Sequence, residues 1–315
     1  MMFAARCLGV CLAVFVLLYG VLTVAVSRGW QSAVHALRPS SARGVADLLF
    51  ALRLFPVMLA AAFTLAVTLP SYLLLEPRSA DEAVGTLPTA LALCCLLVLS
   101  IGCIRAATAQ RRSSRMILQW LASSKPLLSD GSVPIFSTAE VAPTFTVAGV
   151  RAPRVLVSES VLAALSDSEL RSALRHEMAH ARRYDNLRKL LFRVLCFPGM
   201  SELESAWSVQ TEMAADDAAV SCYRDALDLA AALIKVSRLG PLAPCELTTS
   251  LLHSSTAISA RVRRLFAWAE ERGQERPGRS AWYLAPAAAA MVLCFAGLYF
   301  PMLSAMHTVT EWLVR

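Results

Sequence analysis

His176-Glu177-Met178-Ala179-His180 decides how the rest of this chain is read. On a helix, residues four apart lie on one face, with Cβ atoms about 5–6 Å apart. Two imidazoles so placed can bind one metal ion. Glu177 sits beside the first of them and points at the remaining coordination position, where a water would bind. Zinc lowers the pKa of such a water to about 7, so a neighbouring carboxylate can take its proton. The pattern needs a helix, and the preceding residues provide a start for one. In Leu165-Ser166-Asp167-Ser168-Glu169-Leu170, Ser166 is a candidate N-cap and Glu169 completes a capping box. Leu170, Leu174, Met178 and Ala181 then recur at helical spacing, and nothing breaks the predicted helix before Pro198. The plain alternative is an amphipathic helix carrying two histidines on its polar face.

A catalytic zinc usually has three protein ligands and one open position. His35 and His307 lie beside hydrophobic segments far from the paired histidines and are poor candidates for the third. Glu212 is a better one. It lies in Thr211-Glu212-Met213-Ala214-Ala215-Asp216-Asp217, within an Ala-rich stretch predicted to be helical from about Glu204 to Tyr223. Glu212 and Asp216 share a face. Glu212 would complete a metal site, and Asp216 could accept a hydrogen bond from a ligand imidazole. By spacing alone, the two acids read equally well as a solvated face paired with Arg182 or Arg183.

In order along the chain, these residues resemble a known family. His176-Glu177-Met178-Ala179-His180-Ala181-Arg182-Arg183-Tyr184-Asp185-Asn186 resembles the His-Glu-x-x-His-x-x-Arg-x-Asp-Asn signature of the BlaR/MecR-type membrane metallopeptidases. Glu212-Met213-Ala214-Ala215-Asp216 is similar to their second motif, whose Glu is the third zinc ligand. Ala152-Pro153-Arg154-Val155-Leu156-Val157-Ser158 resembles the strand before the catalytic helix, and Arg261-Val262-Arg263-Arg264-Leu265 the Arg-containing helix that closes the domain. The resemblance implies one Zn2+ per chain held by His176, His180 and Glu212, with Glu177 as catalytic base. It also implies that Asp216, Arg183 and Asp185 support the ligands, and that a winged-helix repressor is one possible substrate. The HtpX and CAAX-prenyl-protease family shares both motifs.

Hydrophobic residues make up 57% of the chain and charged residues 17%, with mean hydropathy +0.54, which is more apolar than most soluble domains. Four stretches are long enough to cross a bilayer: Cys7–Ser27, Leu54–Leu75, Ala83–Ile104 and Ala281–Met306. Arg28, Arg38 and Arg43 follow the first, Glu76, Arg78, Asp81 and Glu82 the second, and Arg105, Arg111, Arg112 and Arg115 the third. By the positive-inside rule the basic segments are cytoplasmic, so both termini are expected outside and the His and Glu motifs inside. Ala25-Val26-Ser27 could serve as a cleavage site, but the apolar run is long for a signal peptide, and an uncleaved span is expected. Arg53, at the start of the second span, is expected to snorkel to the cytoplasmic surface.

The net charge of +7 needs no nucleic-acid partner, because the basic residues gather beside the spans. Arg182, Arg183, Arg188, Lys189 and Arg193 interleave with leucines, which suits either anionic lipid or a solvated helix edge. The nine cysteines show no paired spacing for a thiolate metal site, and a reducing compartment disfavours disulfides. Between Lys125 and Ser158 the helical period disappears. Thr144-Phe145-Thr146-Val147 and Arg154-Val155-Leu156-Val157 then predict a small sheet or hairpin, which either takes substrate as an added edge strand or simply covers the helix. His253, Tyr184 and Arg261 are candidates to stabilise an oxyanion.

The expectation is therefore a mainly helical membrane protein of α+β class with four transmembrane helices and a cytoplasmic gluzincin-like zinc metalloprotease domain. Residues 1–104 form a three-span bundle, 105–279 the domain, and 280–315 the fourth helix and a short outer tail. Its expected partners are the bilayer and a cytoplasmic protein substrate, with the chain itself as one candidate first target. The alternatives are an HtpX-like quality-control protease and a catalytically silent scaffold stabilised by its metal. The family's β-lactam receptors carry an outer sensor domain after the fourth span. Here residues 307–315 follow it, so direct antibiotic sensing is not expected.

Overall fold

The computed structural model describes residues 2–77, 85–130, 133–139, 145–195, 197–239, 249–250, 255–270 and 297–311. It is mostly helical, with a small sheet. Among the described residues, three helical rods are long and apolar enough to cross a membrane: Phe3–Leu37, Ala42–Leu75 and Thr86–Ala122. Each outruns its apolar window. Helix α1 (Met2–Leu37) stops at Arg38, whose φ is 39°, followed by Pro39. Ser41 then caps α2 (Ala42–Phe63) by accepting from the Gly44 N–H. A π-helical turn (Thr64–Thr68) joins α2 to α3 (Leu69–Leu75). Pro70 has no N–H, so the Ala66 carbonyl four residues back lacks its usual helical donor. Tyr299 Oη donates to that carbonyl at 2.9 Å from α11 (residues 297–311). Helix α11 is the end of the expected fourth span, whose residues 281–296 lie outside the described residues.

Helix α4 (Thr86–Ala122) runs unbroken past Ile104 into the remainder of the chain. Its final turns carry Met116, Ile117, Trp120 and Leu121 onto Phe136, Ala148 and Leu156. These belong to a five-stranded sheet of order β1-β2-β4-β3-β5, made of Lys125–Asp130, Val133–Thr138, Arg154–Ser158, Phe145–Ala148 and Thr249–Ser250. Side chains alternate across a strand. Leu156 therefore faces α4, while Val155 and Val157 join Phe145 and Val147 in the main core against the helices on the other face. Gly149 (φ 97°) turns β3 into β4, and a Cβ there would lie 2.5 Å from the Ala152 carbonyl oxygen, so the turn requires glycine.

That sheet corrects one expectation. The strands at 145–148 and 154–158 are not edges, because β4 lies between β2 and β3 and β3 also pairs with β5 through Thr146–Ser250 and Val147–Thr249.

The helices behind the sheet are α5 (Glu159–Ala164), α6 (Asp167–Arg183), α7 (Asp185–Val194), α8 (Ser201–Ala219), α9 (Tyr223–Arg238) and α10 (Ser255–Glu270). The capping box at Ser166 and Glu169 forms as expected. Two helix extents do not. The helix through His180 ends at Arg183, where Tyr184 adopts a left-handed conformation (φ 53°, ψ 42°), and α7 starts afresh at Asp185. The Ala-rich helix ends at Ala219 rather than running to Tyr223. Arg175 Nη1 donates to the Ala219 carbonyl at 3.3 Å and to Asp225 at 2.9 Å, and Asp225 accepts the Ser221 N–H at 3.0 Å. The bonds from Arg175, which reach across from α6, favour a break that local propensity does not show.

Arg53 is corrected too. It is buried and does not snorkel. Nε donates to Glu204 at 2.8 Å on α8, and Nη2 donates to the Leu195 carbonyl at the end of α7. Arg183 and Arg188 likewise turn to Asp47 on α2, at 3.2 and 2.8 Å, rather than outward to lipid or solvent. Phe192, Met200, Leu203 and Trp207 pack on Ala46 and Leu49, and Phe197 meets the Tyr19 ring at 4.9 Å. Helix α2 and helices α6–α8 are thus built into one another.

Candidate metal centre

One helix face supplies three residues of the site. His176, Glu177 and His180 on α6 are fully buried. Helix α8 crosses beside them and brings Glu212 and Asp216, also buried. His176 Nε2 and His180 Nε2 are 3.2 Å apart. Glu212 Oε2 lies 3.5 Å from the first, and Oε1 3.7 Å from the second. A tetrahedral ion with ligands at about 2.0–2.1 Å holds its donors roughly 3.3–3.4 Å apart. The three groups therefore stand close to ligand separation already, and they can hold a metal ion.

The outer nitrogens explain why both Nε2 atoms face inward. His180 Nδ1 is 2.8 Å from Asp185 Oδ2. The left-handed Tyr184 joint makes this possible, because it places Asp185, first residue of α7, back under α6. His176 Nδ1 is 3.0 Å from Asp216 Oδ1, a close approach but off the line of a good hydrogen bond. Two carboxylates thus orient two imidazoles, the usual support around a metal.

Arg261, from α10, closes the site. Its Nε and Nη2 grip Asp216 at 2.9 and 2.6 Å, and Nη1 is 3.1 Å from Glu212 Oε2. Nη2 also comes within 3.4 Å of His176 Nε2. Arg261 therefore reaches the site as anticipated, but its donors are engaged with the acids that surround the ligands. Arg183 stands one layer out, 3.6 Å from Asp185 and 3.2 Å from Asp47. Tyr184 does not join the group, and its side chain is more than half exposed. His253 lies outside the described residues.

Four acids, Glu177, Asp185, Glu212 and Asp216, are buried here with one arginine. Burial pushes Glu177 up to about 7, opposed by the charges of His180 and His176. Both its carboxylate oxygens are shielded from solvent and accept no hydrogen bond among the described residues. Burial also opposes charge on His180, but Glu212 and Asp185 outweigh it and push the imidazole up to about 10. Burial raises Glu212 as well, yet the charges of His180 and Arg261 hold it well below the usual carboxylate range. Negative charge that holds a proton on an imidazole also attracts a cation, so the two compete for the same nitrogen. An excess of buried acids and an unpartnered carboxylate both fit a divalent ion.

Two positions that the sequence reading passed over complete the setting. Asn186 Nδ2 donates to the Val147 and Gly149 carbonyls at 3.0 and 3.1 Å, tying the start of α7 to β3. Asp47 ties α2 to α7. Asn186 stands in the quoted signature, but Asp47 gave no local signal. Neither protein-family models nor curated proteins give a match to this chain.

Proposed function

We propose that this chain is a membrane-embedded zinc endopeptidase that cuts a cytoplasmic protein as a regulatory step. One observation carries the reading. Glu177 holds a buried carboxylate with no hydrogen-bond partner among the described residues, beside a ready three-ligand group. A structural metal site has no need of that acid. Zinc, when bound, polarises a peptide carbonyl and makes water acidic. Glu177, buried beside these donors, is suited to take the proton from the attacking water and pass it to the leaving amine. Asp185 and Asp216 hold the imidazoles in place, and Arg261 holds Asp216 and Glu212.

The proposed setting is a bilayer with the metal centre on the cytoplasmic side. Three rods of spanning length support it, as do the arginines that follow the first and third apolar runs. The resemblance to antirepressor peptidases suggests a winged-helix repressor as substrate.

The test is Glu177→Gln in cells and in purified protein. We expect it to keep its metal and to lose cleavage, by about 10²–10⁴-fold. Cleaved N-termini compared between wild type and the variant across the proteome should reveal one or a few cut sites. Broad loss of digestion of misfolded membrane proteins would favour quality control instead. A cellular phenotype unchanged by Glu177→Gln would sink the protease reading and leave a scaffold.

A further inference from the structure

A second group of metal-type donors lies at the other end of the bundle. The rod from Asp47, beside the metal centre, to Glu76, just past α3, is roughly 40 Å long at 1.5 Å per residue. Helix α11 runs alongside this end. Tyr299 reaches Ala66, and Ser71 Oγ donates to the Leu303 carbonyl at 2.8 Å. The next step of the same progression pairs His307 with Glu76. Tyr299, Leu303, His307 and Glu311 are spaced by four and form one stripe of α11, which lies parallel to the second span.

His307 Nδ1 is 3.7 Å from Glu76 Oε2, and Nε2 is 3.4 Å from Glu311 Oε1. One donor atom from each of the three residues falls within 4.8 Å of the others. His307 Nδ1 is shielded from solvent and has no hydrogen bond among the described residues, although two carboxylates flank the ring. A cation needs all of these: an imidazole nitrogen without a partner, two negative charges and a route from solvent. The Glu311 side chain is 48% exposed and supplies that route.

We propose that Glu76, His307 and Glu311 form a second divalent-metal site that takes Zn2+ or a similar first-row ion. The donor set selects the ion. Calcium and magnesium prefer all-oxygen shells, whereas imidazole with carboxylates suits zinc and its neighbours. The carboxylates approach opposite nitrogens of the ring, so binding requires Glu311, on the exposed side, to swing toward the nitrogen that takes the ion. The ion fastens the end of α3 to α11. This site stands independently of the reading of His176, His180 and Glu212.

The experiment counts ions on the full chain in detergent micelles, stripped with chelator and dialysed against Zn2+. We expect His307→Gln to carry one ion per chain fewer than wild type, whether or not the other site is loaded. Glu311→Gln, at an exposed position that threatens folding less, should bind that ion at least tenfold more weakly. Equal ion counts and equal affinities in wild type and both variants would overturn the proposal. Displacement of the ion by equimolar Ca2+ would overturn the choice of metal.

Discussion

The two donor groups differ in how far assembly has gone before any ion arrives. At the centre between α6 and α8, three donors stand 3.2 to 3.7 Å apart, buried, with both imidazoles braced by aspartates. At the far end the two carboxylates approach opposite nitrogens of His307, at 3.7 and 3.4 Å, and the Glu311 side chain is half exposed. The first group is preorganised. Its rigidity comes from helices α6, α7 and α8 locking onto one another and onto α2. The second depends on side-chain freedom. The comparison predicts tight, slowly exchanging metal at the first and weak, exchangeable metal at the second. That is the division expected between a preformed site and one that forms around its ion.

The largest expected effect separates chemistry from binding. Glu177→Gln should lose cleavage as stated above while its ion count stays at the wild-type value at both sites. An ion lost with that substitution would mean that Glu177 is a ligand and not a base.

The same substitution should change stability with pH. Glu177 is raised from 4.5 to about 7 when folded, so its cost is absent below pH 4.5, grows between the two values and is complete above 7. Metal-stripped Glu177→Gln should therefore match wild type near pH 4 and be more stable at pH 8, by on the order of 3 kcal/mol. Thermal unfolding in detergent with chelator present will show it. Equal melting temperatures at pH 8 would mean that water reaches the carboxylate.

Asp185→Asn tests the bracing. Loss of such an outer partner typically weakens metal binding by about 10–100-fold. The effect should be confined to the first site, and zinc competition with a fluorescent chelator measures it. A variant with unchanged affinity would show that the α6–α7 joint does not orient His180.

Asp47→Asn is expected to do least. Its side chain is 45% exposed, and exposed ion pairs contribute about 0–1 kcal/mol. A larger loss in denaturant or thermal unfolding would mark this joint as a principal tie between α2 and α7.

The legible part of the molecule was the part with short-range spacing. His176, Glu177 and His180 follow from a four-residue interval, and the capping box at Ser166 from a three-residue one. Glu212 needed the resemblance, because its spacing from Asp216 equally describes a solvated face. What escaped notice was long-range. Arg53 and Glu204 are 151 positions apart, and nothing near either announces the other. The end of α8 depends partly on the same kind of contact, since Arg175 reaches the Ala219 carbonyl from α6, whereas α6 ends at a local left-handed joint. In the sequence His307 reads only as a poor ligand for the distant centre. Its own neighbour Glu76 is 231 residues away.

The π-helical turn at Thr64–Thr68 has a geometric outcome. A π-helical turn is wider than an α-helical one and takes up an extra residue, so the side chains beyond it are offset around the axis from where an unbroken α-helix would place them. Asp47 and Arg53 on one side of it address α7 and α8, while Ser71 and Glu76 on the other address α11. The turn sets the rotational phase between the two halves of a single rod, and so decides which neighbour each half can see.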